Sequence, residues 1–156
     1  MVILFTIGYT KKSLKEFVGL LTKEEVEKVV DVRLKNTSQL AGFAKEDDLR
    51  FILGHFMKVA YEHVPLLSPT EEIFETIKKK KDWELYVRMY TDLIRERKMD
   101  QVLKKAIGGY ERVCLLCAED SPKQCHRRLL AEYYQRIVGG VEIVHLTEKD
   151  ARRLMK

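Results

Sequence analysis

The chain has 156 residues, 46% of them hydrophobic and 34% charged, with a formal net charge of +5. That suits one domain, residues 1–156, with one core of ordinary size. No apolar run reaches the roughly 20 residues of a membrane helix, and the mild excess of base permits a phosphate-bearing partner without requiring one.

The N-terminus, MVILFTIGYTKK, has no basic residue ahead of its apolar stretch, so it reads as a first strand, Val2 to Ile7, rather than a signal peptide. A cytoplasmic location is expected, and with only three cysteines a disulfide framework is not. A helix follows from about Ser13, with Leu14, Phe17, Val18 and Leu21 on one face. Lys28 to Val32 is the second strand, and Leu34 to Lys45 a long polar loop. A helix from Asp47 or Asp48 to Phe56 precedes a third strand, Lys58 to Val64. Ser68-Pro69-Thr70-Glu71 reads as a helix entry, with serine as cap and proline in the first turn. Asp82 starts another helix carrying Trp83, Tyr86, Val87 and Tyr90, and Asp100 to Ile107 forms the next. Arg112 to Ala118 is the fourth strand, Pro122 to Ile137 a helix, and Val141 to Leu146 the last strand. A short charged helix ends the chain. Alternating strands and helices predict a three-layer α/β fold with a mostly parallel sheet of about five strands.

Such sheets bind ligands beyond the strand C-termini. That singles out Tyr9, Thr10, Asp31, Arg33, His63, Pro65, Cys117 and Glu119. One stretch stands out, CLLCAEDSPKQCHRRLL, which holds all three cysteines. Cys114, Cys117, Cys125 and His126 resemble a zinc set by count alone. Residues three apart in a strand face opposite ways, however, so Cys114 is expected in the core. A three-ligand site from Cys117, Cys125 and His126 is no better favoured, and no metal is assigned. A helix start at Pro122, with Lys123, Arg127 and Arg128 near it, could hold an anion. The competing reading has Asp120 or Ser121 as cap and the bases solvated. Cys125 near a helix start could be a nucleophile, although no phosphatase-type loop surrounds it. Glu119 and Asp31 could divide acid and base roles, or Asp31 could pair with Arg33 or Arg127 as scaffold. His126 shares a face with Leu130, Tyr133 and Ile137, which suits a half-buried structural residue. Lys78 to Lys81 read as a solvated helix end. Tyr9, Tyr61, Tyr90 and Tyr133 could stack on bases, but their spacing suits a core.

The stretches TIGYT, VVDVR, YEHVPLL, WELYVRMY and CLLCAEDSPKQCHRRLLA, with the Ser38–Phe43 loop, resemble the domain of unknown function 488 family. The resemblance covers about Ile3 to Ala131. It implies a small prokaryotic α/β protein with a shared pocket, and supplies no reaction. Its pattern falls on Gly8, Tyr9, Asp31, Arg33, Ser38, Phe43, Tyr61, Pro65, Cys117, Glu119, Pro122, Cys125, His126 and Arg127, and leaves Cys114 out. The proline often found between the Asp-x-Arg and the serine is missing from Leu34-Lys35-Asn36-Thr37.

The leading expectation is an enzyme or binder of a nucleotide-like, phosphate-bearing small molecule. Glu119, Asp31, Cys125 and His126 are its candidate catalytic groups. Gly8, Tyr9, Arg33, Ser38, Tyr61, Cys117 and Arg127 are its candidate ligand contacts. The alternatives are a nucleic-acid-binding module and a redox-active pair, Cys117 with Cys125. No cofactor is assigned, no membrane partner is expected, and oligomeric state is left open.

Overall fold

The computed structural model describes residues 1–154. Five strands form one parallel sheet: β1 (Val2–Gly8), β2 (Lys28–Asp31), β3 (Ala60–His63), β4 (Arg112–Cys117) and β5 (Val141–Leu146), in spatial order β3-β2-β4-β1-β5. Helices cover both faces, as a parallel sheet requires. Alternate residues of each strand therefore serve separate cores. Leu4, Val30, Val113, Leu115 and Cys117 pack on one side. Phe5, Ile7, Val29, Cys114 and Leu116 pack on the other. Cys114 and Cys117 thus lie on opposite faces, which rules out a four-ligand zinc set containing both.

The first side is covered by α3 (Glu71–Lys78), α4 (Trp83–Glu96), α5 (Met99–Ile107) and α6 (His126–Val138). The second is covered by α1 (Leu14–Lys23), α2 (Glu46–Phe51) and α7 (Glu148–Leu154). Local chemistry explains the starts. Ser13 and Glu16 form a capping box at α1, and Asp82 accepts from the Leu85 amide at α4. No helix of the described residues is long and apolar enough to cross a membrane.

Several boundaries depart from expectation. The third strand begins at Ala60, because the helix before it continues as π-helical turns through Met57 and Lys58 turns left-handed. Thr70, not Ser68, caps α3, so Pro69 lies outside the helix. The Leu34–Lys45 loop contains a 3₁₀ segment, Gln39–Ala44, capped by Ser38.

The largest departure concerns α6. It begins at His126 rather than Pro122, with Cys125 in the N-cap position. Asp120 is not a cap. Its carboxylate accepts from Lys12 Nζ at 2.5 Å and from the Glu148 amide at 2.8 Å. The residues from Ala118 to Gln124 therefore form a loop pinned to the sheet edge, and the helix start moves from Pro122 to His126.

The chain leaves β2 towards the α2 side and leaves β4 towards the α6 side. Adjacent strands with crossovers on opposite faces open a crevice at their C-terminal ends. The main cleft lies there.

Candidate active site

The cleft has a volume of about 720 Å³. Tyr9, Arg33, Ser38, Cys117, Glu119, Cys125 and His126 line it, with Phe74 and Tyr86 as an aromatic wall and Lys35, Lys78 and Lys79 at its rim. Gly8, Asp31, Tyr61 and Arg127 lie behind this surface. The aromatic wall was not legible as part of a site, because Phe74 and Tyr86 fit the apolar faces of their helices. By sequence Lys78 and Lys79 fit a solvated helix end.

The floor is a thiol pair beside an imidazole. Cys117 ends β4 and Cys125 opens α6, and their sulfurs are hydrogen-bonded at 3.3 Å. His126 Nδ1 is 3.8 Å from Cys117 Sγ. Its Nε2 lies 2.9 Å from the Val32 carbonyl oxygen. A carbonyl can only accept, so Nε2 carries a proton, and Nδ1 is the ring nitrogen turned to the sulfurs. Phe74 and Tyr90 meet the ring edge-on and fix its plane. His126 is therefore fully rather than half buried, at 2% exposure.

Arg127 is wholly buried, the largest side chain in the core to be so. It turns inward, away from the cleft. Its Nη1 donates to the Glu119 carbonyl and to Cys125 Sγ at 3.4 Å, and Nη2 donates to the Asp120 carbonyl at 2.8 Å. Among the described residues no carboxylate pairs with it. A buried guanidinium needs a counter-charge, and Cys125 is the ionisable group it touches. Several influences agree on that sulfur. The hydrogen bond from Cys117 holds the Cys125 thiol well below its usual range, with help from His126 and Arg127 against burial. The start of α6 favours negative charge there as well. Cys117 is pushed well above the usual thiol range by its bond to Cys125 and by burial. Of the two sulfurs, Cys125 is thus the one whose surroundings favour negative charge, and Cys117 the one that favours keeping its proton. Burial pushes the Cys114 thiol up, and it takes no part.

The second cluster supports the opposite wall. Asp31 is fully buried and its carboxylate is saturated. Arg33 Nε and Nη2 donate to it at 2.8 and 2.7 Å, Tyr61 Oη at 2.6 Å and Asn36 Nδ2 at 3.1 Å. Arg33 Nη2 also reaches the Ala44 carbonyl at 2.8 Å, so the pair anchors both ends of the loop. Burial raises the Asp31 pKa, but the hydrogen bonds and charge of Arg33 outweigh it and the net direction is down. The Arg33 guanidinium lies 5.4 Å from the centre of the Tyr9 ring, which faces the cleft.

At Gly8 the end of β1 runs close against the Ala118–Gln124 loop. A Cβ there would sit 1.8 Å from the Glu119 carbonyl oxygen, which is the acceptor Arg127 uses. The obstacle is backbone and cannot swing aside. Gly8→Ala is therefore expected to displace the Ala118–Gln124 loop and cost about 1–3 kcal/mol. Denaturant unfolding measures the cost, and slower alkylation of Cys125 would report the moved loop. Wild-type stability and reactivity would show that the close approach carries no weight.

A family model described as domain of unknown function DUF488 matches residues 13–134. The chain belongs to this family. The match runs from the cap of α1 through most of α6 and so contains the thiol pair, His126, Arg127 and the Asp31 cluster. No curated protein and no solved structure matches this DUF488 chain.

The ligand atoms of Cys117, Cys125 and His126 lie within 4.8 Å of one another, a set that could accept a soft metal ion. Two thiolates on tetrahedral zinc sit about 3.8 Å apart. The sulfurs here are 3.3 Å apart, closer than that, and satisfy each other by a hydrogen bond. The buried charge of Arg127 also matches a single thiolate without added metal.

Proposed function

We propose that this DUF488 domain is a thiol-dependent enzyme acting on a small, phosphate-bearing molecule in the cleft, with Cys125 as nucleophile. The observation that carries this reading is the contact of Cys125, at the cleft floor, with the buried, carboxylate-free Arg127 behind it. A thiolate attacks where a thiol does not. The rim supports an anionic substrate. Lys35 and Lys79 are held only in exposed pairs with Glu71 and Glu75, which contribute little. Lys78 makes no ion pair among the described residues. Glu119 is exposed at the cleft and can exchange protons with a bound molecule.

Alkylation tests both halves of the reading. At neutral pH, iodoacetamide should modify Cys125 before Cys117 or Cys114. Iodoacetate should be favoured over iodoacetamide relative to free cysteine, because the rim attracts its carboxylate. A mononucleotide should protect Cys125, and Lys78→Ala should weaken the protection. Three equally sluggish thiols would refute the nucleophile. Protection by long nucleic acid alone, falling steeply with salt, would favour a nucleic-acid module instead.

A further inference from the structure

We infer that Cys117 and Cys125 form a dithiol–disulfide couple that reduces small disulfides entering the cleft. This rests on the reading of Cys125 as the reactive thiol and names the chemistry that its neighbour adds. A lone nucleophile has no need of a second sulfur at 3.3 Å. That sulfur is already in position to attack a mixed disulfide formed on Cys125. His126 supplies the base the attack needs. Its Nδ1 lies 3.8 Å from Cys117 Sγ and is the nitrogen that can take a proton in the neutral ring, because the other is anchored on Val32.

The steps balance. The Cys125 thiolate attacks one sulfur of the disulfide RSSR, forming a Cys125–SR bond and releasing RS⁻, which takes a proton from water. Cys117 then gives its proton to His126 Nδ1 and attacks Cys125 Sγ. The Cys117–Cys125 bond forms, and a second RS⁻ leaves and collects the proton from His126. The protein dithiol is oxidised to a disulfide, and RSSR is reduced to two RSH. A thiolate at a helix start beside a protonated partner thiol is the pairing this exchange requires. Cys114, on the other face of the sheet, is excluded and serves as an internal control.

The test uses the full chain with hydroxyethyl disulfide and oxidised glutathione as probes. Free thiols counted after denaturation should fall from three to one, and mass spectrometry of peptides should show Cys117 joined to Cys125. Cys117→Ser, or Cys117→Ala if the serine disturbs packing, should stop at a mixed disulfide on Cys125. His126→Gln should prolong the life of that mixed disulfide. A wild-type protein that also stops at the mixed disulfide would overturn the couple while leaving Cys125 as the reactive thiol. An unreactive Cys125 would sink both readings. Thiols that react only after a chelator removes bound zinc would replace the couple with a three-ligand metal site.

Discussion

Arg127→Ala is expected to lower the unfolding free energy by about 3–5 kcal/mol, the cost of removing one partner from a buried charged contact. Two carbonyls, of Glu119 and Asp120, would lose their donor, and Cys125 would lose its counter-charge. The β4–α6 loop holds its course over Gly8 through these bonds, so its position should change too. Reactivity should fall as well. A Cys125 thiol without the guanidinium needs a higher pH to ionise, so its alkylation profile should move towards alkali. Arg127→Lys keeps a charge but cannot reach both carbonyls and the sulfur at once, and should recover the pH profile better than the stability. Urea unfolding and pH-dependent alkylation of each variant check this. An alanine variant of wild-type stability, or an unmoved profile, would contradict the role given to Arg127.

Asp31→Ala should cost a similar amount, about 3–5 kcal/mol, for the mirror-image reason. It would strand the Arg33 guanidinium, which is buried and left with only the Ala44 carbonyl. Tyr61 and Asn36 would lose the acceptor that joins them. The Leu34–Lys45 wall of the cleft should then loosen. The same carboxylate predicts a pH dependence. Its pKa in the folded protein is below the ordinary 3.8, so its contribution is complete above that value. It is lost as pH falls through the lower, folded value. The wild type should therefore lose stability with acid in this range, while Asp31→Asn lacks that component and starts from a lower plateau. Parallel acid titrations followed by circular dichroism would show it. Identical curves would mean that Asp31 titrates alike in both states.

Both predictions concern residues that the sequence marked but could not assign. Asp31 and Arg127 were each open to two readings, one in the pocket and one as support. The structure puts both behind the cleft: the Asp31 carboxylate is saturated by its neighbours, and Arg127 spends its two terminal nitrogens on the nearby loop and Cys125 while its buried Nε finds no partner. Asp31 meets Tyr61 across the β2–β3 pairing, and Arg127 meets the loop that precedes its own helix. Glu119, Cys125 and His126 reach the cleft itself.

The sequence by itself determined the α/β class, the sides of the sheet on which Cys114 and Cys117 fall, and the edge where a cleft would open. Those follow from local periodicity: strand alternation sorts the faces, and alternating strands and helices put the strand C-termini on one edge. Tertiary structure decided where α6 begins, which way Arg127 turns, and that Cys117 and Cys125 meet. Pro122 is a good local start for a helix, and no local rule forbids it there. Lys12, at the far end of β1, and the Glu148 amide, at the start of α7, hold Asp120 in a loop and delay the helix to His126. That delay moves the positive end of the helix from an expected anion site onto a cysteine, and it sets the thiolate against its buried arginine.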